Sequence, residues 1–120
     1  VTYNASPESM KASLSVLGGY ECKGKRVAVL ADMLELGENE VEYHKKVGGY
    51  VREFGIDYLI AYGNLAKWYL EESDVVGVKV DSLDDAYKET TKFLNSDNVL
   101  LFKGSNGMKL KEIVSKLIQN

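Results

Sequence analysis

Two stretches of this sequence combine residue types that bind or orient small charged molecules. The first runs from Asp32 to Glu42, where five carboxylates (Asp32, Glu35, Glu38, Glu40 and Glu42) occur without a Lys or Arg. Asp32 and Glu35 stand nearest the apolar run that precedes them, and they suit a cation or a ligand's ammonium group. The same pair would equally serve a solvated helix start, where the helix dipole favours negative charge. The second stretch is Lys103-Gly104-Ser105-Asn106-Gly107, a cation, two glycines and a hydroxyl where an apolar run gives way to a helical pattern. Backbone N–H groups in such a turn cradle anions, and the lysine adds charge. Its plainer reading is a glycine-rich turn with Ser105 or Asn106 as a cap. It is not a Walker A loop, because G-x-x-x-x-G-K-[ST] is absent.

The remaining reactive residues read more simply. His44 is the only histidine; it falls on an apolar helical stripe, which fits a packed or interface histidine, and no cysteine or second histidine completes a metal set. Of the eight tyrosines, only Tyr3, beside Asn4, lies where a ring could stack on a nucleobase, with core packing as the alternative. Cys22 is the single cysteine. It reads as an inert thiol in a reducing cytosol.

Elements must position these residues, and the apolar spacing supplies them. Val27 to Leu30 is a continuous apolar run suited to a central parallel strand covered on both faces. Before it, Ser6-Pro7 starts a helix over roughly Pro7 to Leu17, with Ser6 as cap and Gly18-Gly19 as its end. Val1 to Asn4 is too short for a strand of its own, so the chain is expected to begin inside an element. After the acidic loop, a helix is expected from Glu40 to Phe54 with His44, Val47, Val51 and Phe54 on one face. Strands follow at Asp57 to Tyr62, at Val75 to Val80 nearer an edge, and at Asn98 to Phe102. Between them stand a helix capped by Asn64 and another starting at Ser82, whose stripe is Leu83, Tyr87, Thr90 and Leu94. A last helix carries Leu110, Ile113, Val114, Leu117 and Ile118.

Helices alternating with strands predict parallel strands and right-handed crossovers, an α/β Rossmann-like three-layer sandwich with a mostly parallel sheet. In such sheets ligands bind beyond the carboxyl ends of the strands. The loops with unusual chemistry all follow strands, so they are expected to share one sheet edge.

The totals agree. At 120 residues the chain is one ordinary domain that buries ~65% of its unfolded surface. A net charge of −3 argues against nucleic acid or an anionic membrane as the main partner. No apolar run approaches a membrane span and no signal peptide is visible, so a cytoplasmic location is expected.

Four fragments in order carry a resemblance over nearly the whole chain: Tyr3-Asn4-Ala5-Ser6-Pro7-Glu8-Ser9-Met10, Ala31-Asp32-Met33-Leu34-Glu35-Leu36-Gly37, His44 with Val47-Gly48, and Lys103-Gly104-Ser105. Together they resemble the C-terminal domain of the Mur ligase family, in its D-alanyl-D-alanine-adding branch. The resemblance implies a Rossmann-like fold and an ATP-dependent, magnesium-requiring amide ligase of peptidoglycan precursor synthesis. In such enzymes an acyl phosphate forms on the carboxylate of UDP-MurNAc-tripeptide and the amine of D-Ala-D-Ala attacks it. N-terminal and central domains, absent from this chain, would hold the sugar peptide, the phosphates and magnesium, so the domain alone is expected to be inactive.

Carried over by position, the resemblance puts Tyr3, Asn4 and Ser6 near ATP, and Asp32, Glu35, Lys103, Gly104 and Ser105 near the dipeptide. The chain departs from the family pattern at Val1 (usually Asp), Ser6 (Asn), Ala31 (Gly) and Asn106 (Arg). Two other classes are alternatives, a phospho-receiver module and a stand-alone nucleotide-binding regulatory domain. The first lacks a receiver's acidic pair and spacing; the second lacks a G-x-G-x-x-G after any strand.

Overall fold

The computed structural model describes residues 5–119. Among them, helices α1 (Pro7–Gly19), α2 (Glu40–Glu53), α3 (Lys67–Ser73), α4 (Leu83–Thr91) and α5 (Leu110–Ile118) alternate with strands β1 (Arg26–Ala31), β2 (Tyr58–Tyr62), β3 (Gly77–Val80) and β4 (Val99–Lys103). The strands form one parallel sheet in the order β3-β2-β1-β4. β1 is central as its composition predicts: Val27 to Ala31 have no exposed surface. Val29 pairs with Ile60 on one side and Phe102 on the other.

Alternating β1 side chains feed two cores. Ala28 and Leu30 join Leu59 and Ala61 beneath α1, α2 and α3, where Met10, Leu14, Val47, Val51 and Tyr69 pack. Val27, Val29 and Ala31 join Ile60 beneath α4 and α5, where Ala86 and Ile113 pack. Each fully buried Val, Leu, Ile or Met among them contributes about 1.5–3 kcal/mol of transfer free energy. The three layers follow from that division.

The helix ends show which local signals were sufficient. Ser6 caps α1 as its sequence context predicts, its Oγ accepting from Ser9 N–H while Ser9 Oγ accepts from Ser6 N–H. The helix then runs through Gly18 and Gly19, two residues beyond the expected end. β3 is an edge strand, but it starts at Gly77 rather than Val75. Leu94 and Ile118 of the expected stripes are exposed rather than core: Leu94 lies beyond the end of α4 at 55% exposed, and Ile118 at the last turn of α5 at 78%. Ala86 and Phe93 take the expected place of Leu94 in the α4 core.

The strand order places its reversal between β1 and β4. From β1 the chain winds outward through β2 and β3 on one side, then returns through α4 to lay β4 on the other. The crevice at the carboxyl ends of those two strands is the switch point at which open α/β sheets bind ligands. The two chemically unusual loops lead out of β1 and β4.

Candidate functional site at the sheet switch point

The loop leaving β1 is pinned by three side chains, its own Asp32 and two from other parts of the chain, His44 and Ser105. Asp32 Oδ1 accepts from Leu65 N–H at 3.0 Å and Ala66 N–H at 2.8 Å. Those amides open the turn that leads into α3, so the cap comes from Asp32 across the sheet edge. The side-chain cap expected of Asn64 is not seen; Ala66 precedes α3 and supplies none. Gly63 makes the approach possible: at φ 121° a Cβ there would sit 2.4 Å from Asp32 Oδ1. Asp32 is 6% exposed, so its carboxylate supports the loop rather than presenting a charge to solvent. Burial raises its pKa, and the Ala66 and Leu65 N–H groups and the nearby His44 oppose the rise.

His44, buried as expected, holds the next residue. Met33 N–H donates to Nε2 at 3.0 Å, and Nδ1 lies 2.6 Å from the Glu40 carbonyl oxygen. Nε2 must be bare to accept, and Nδ1 must carry the proton to face a carbonyl. Burial lowers the His44 pKa against the pull of the Glu40 carbonyl and the charges of Asp32 and Glu40. The ring packs on Tyr69, centroids 5.0 Å apart, while the Tyr69 hydroxyl donates to the Ala31 carbonyl at 2.9 Å.

Ser105 closes the crevice from the β4 side. Its Oγ accepts from Leu34 N–H at 2.8 Å, and its own N–H donates to the Asp32 carbonyl at 3.1 Å. The capping role considered for Ser105 is absent, because this cross-strand bond takes its place. Gly104 permits the close approach of the two strand ends, since a Cβ there would stand 2.6 Å from that of Ala31. The segment does not run directly into a helix as the sequence pattern predicts. A 3₁₀ turn at Asn106–Met108 and Lys109, at φ 62°, intervene before α5.

Beyond Ser105 lies a groove of about 900 Å³ between the start of α1, the end of β4 and the start of α5. Ser6 and Ser9 border it from the start of α1, Lys103 to Ser105 from the end of β4, Lys109 from the approach to α5, and Lys111 and Glu112 from its first turn. Ser6 and the Lys103–Ser105 segment, expected near different ligands, thus share one groove. Lys109, Lys111 and Ser9 were not anticipated. The Lys-x-Lys spacing after Gly107 is the signal that points to the two lysines. Glu35 stands apart on the pinned loop, exposed and at φ 62°. Tyr3 and Asn4 lie outside the described residues. Asp57, which a receiver module would need at a carboxyl edge, is at the opposite edge, where its carboxylate accepts from Arg26 N–H.

A family profile described as "Mur ligase, glutamate ligase domain" matches residues 1–106. The chain belongs to the Mur ligase family. The UDP-N-acetylmuramoyl-tripeptide–D-alanyl-D-alanine ligase of Bacillus subtilis is 40% identical over 98% of this chain and 27% of its own length. That of Escherichia coli is 32% identical over 99% of this chain and 26% of its own length. This Mur ligase chain therefore spans about a quarter of the relatives it matches. A crystal structure of MurF from Acinetobacter baumannii superposes with a TM-score of 0.84 at 27% identity, covering 99% of this chain and 26% of that one. The MurF ligase of Thermotoga maritima in complex with ADP gives 0.78 at 27% identity, covering 98% and 27%.

Proposed function

We propose that residues 1–120 form the C-terminal domain of an ATP-dependent ligase that joins D-Ala-D-Ala to UDP-MurNAc-tripeptide in peptidoglycan precursor synthesis. The carrying observation is the 40% identity to a ligase of that name over nearly the whole chain. The groove supports it physically. An acceptor dipeptide has an ammonium at one end and a carboxylate at the other, and the switch point offers an acidic loop beside a lysine-bordered groove. In this reading Lys103, beside the Gly104 backbone, takes the carboxylate through charge-assisted hydrogen bonds. Glu35 attracts the ammonium end, and Asp32 and Ser105 hold the two loops in register.

The chemistry of the donor set suits a nucleotide at the same groove. The Ser6 hydroxyl and the lysines can donate to an anion, and about 900 Å³ lies within the range of ligand sites. Tyr3, Asn4 and Ser6 are the residues proposed to meet ATP. When bound, ATP supplies the phosphoryl group that activates the tripeptide carboxylate. The part of this chain is to orient the dipeptide amine and exclude water, which converts a bimolecular attack into a positioned one. Among the described residues no group of three His, Cys, Asp or Glu could hold a metal. Magnesium is assigned to the ligase's other domains, and no step here passes through it. Those domains, with the two substrates, are the proposed partners.

A cytoplasmic location fits substrates of this kind, and no helix among the described residues is long and apolar enough to cross a membrane. The test is product formation by the full-length protein containing this chain. ATP, UDP-MurNAc-tripeptide and D-Ala-D-Ala should yield the UDP-MurNAc-pentapeptide by mass spectrometry. A product with a single amino acid added instead would refute the dipeptide assignment.

A further inference from the structure

His44 is fully buried, and the proposed ligase chemistry gives it no part. Both ring nitrogens are nevertheless committed: Nδ1 to the Glu40 carbonyl and Nε2 to Met33 N–H. A ring with one proton satisfies both contacts. A doubly protonated ring cannot, because Nε2–H would face Met33 N–H, donor against donor. We propose that neutral His44 is a positioning residue that latches the loop between β1 and α2, and that protonation at Nε2 releases Met33 and shifts Glu35 out of its binding position.

The latch acts on consecutive amides. His44 on α2 holds Met33, and Ser105 beyond β4 holds Leu34. Glu35 follows at φ 62°, a conformation that a residue with a side chain keeps only where its surroundings impose it. Losing one of the two neighbouring anchors lets that residue relax toward the ordinary region. The charged and titratable groups facing the ring are Asp32 from the end of β1, Glu40 from the first turn of α2 and Tyr69 from α3. The two carboxylates favour the imidazolium and burial opposes it. Burial is the stronger, so the latch is closed at neutral pH.

The link to Glu35 rests on the ligase reading; the latch itself does not. The test compares the full-length protein with its His44→Gln variant, whose amide oxygen can accept from Met33 N–H but does not titrate. Hydrogen exchange of a peptide spanning 32–36, corrected for the intrinsic pH dependence of exchange, should rise about tenfold in the native protein as pH falls from about 7.5 through the lowered pKa of His44. It should stay flat in His44→Gln. An equal response in both proteins, or none in the native one, overturns the latch. Should the variant fail to fold, ¹⁵N shifts of the native ring decide, because a bare Nδ1 with a protonated Nε2 would also overturn it. The KM for D-Ala-D-Ala should climb over the same range in the native enzyme alone, with kcat little changed. Exchange that responds while KM does not would refute the role of Glu35 and leave the latch standing.

Discussion

The Asp32 carboxylate and the Ala66 amide, 2.8 Å apart and both buried, join the end of the central strand to the start of α3. That bond turns a residue that looks like a free acidic ligand into part of the scaffold. Removing it should be expensive for the fold. Asp32→Ala leaves the Leu65 and Ala66 N–H groups without their acceptor and should cost about 2 kcal/mol of stability. Asp32→Asn keeps an oxygen acceptor and removes a buried charge, so its loss should be smaller. Urea unfolding of the two variants against the native protein checks the order.

Gly63 gives a sharper case. At φ 121° and with Asp32 Oδ1 2.4 Å from where its Cβ would lie, Gly63→Ala combines backbone strain with displacement of the cap. The expected loss is about 3 kcal/mol, larger than for Asp32→Ala. Thermal melts of both would reverse that order if the carboxylate could simply swing aside.

Ser105→Ala should separate the loops without emptying the groove. It deletes the acceptor for Leu34 N–H and should cost about 1–2 kcal/mol. Faster amide exchange should appear on both sides of the crevice, in peptides containing Leu34 and those containing Lys103. A response confined to the Lys103 side would deny the bridge.

The pH dependence of stability follows from two buried groups with opposite signs. Burial lowers the His44 pKa below 6.5, so the unfolded chain takes up its proton first. The contribution of His44 is therefore complete above 6.5 and lost as pH falls from there through its folded value. Burial raises Asp32 above 3.8, so the folded chain takes up that proton first. Its burden is relieved as pH falls through its folded value toward 3.8. Denaturation midpoints measured across this range should drop first on acidification, and His44→Gln should remove the first drop while leaving the Asp32 response.

How much of this was legible in the sequence depends on the range of the contacts. Val27 to Leu30 announced a central strand because burial on both faces demands a continuous apolar run. Ser6-Pro7 announced the α1 start because a cap acts within three residues, and His44 fell on the α2 stripe by helical spacing. The cap of α3 was not legible. Its donors lie more than thirty residues from Asp32, and the nearer Asn64 offered a plausible local substitute. The same holds for Ser105, whose partner is 71 residues away. Leu94 and Ile118 misled because apolar spacing continued past the residues that the sheet could cover. The groove that unites Ser6 with Lys103 depends on where α1 and α5 settle, which no local pattern encodes.

The central claim is that this domain orients the acceptor dipeptide for the ligase, and one titration tests it. Phosphate release from ATP by the full-length protein, with UDP-MurNAc-tripeptide present, would be followed against D-Ala-D-Ala concentration for the native enzyme and Lys103→Ala. Release should require the dipeptide. In the variant, KM for the dipeptide should rise about tenfold or more, as expected for a lost charge-assisted hydrogen bond, with the KM for the tripeptide near its native value. Release that ignores D-Ala-D-Ala, or a Lys103→Ala enzyme whose dipeptide KM is unchanged, would contradict the account.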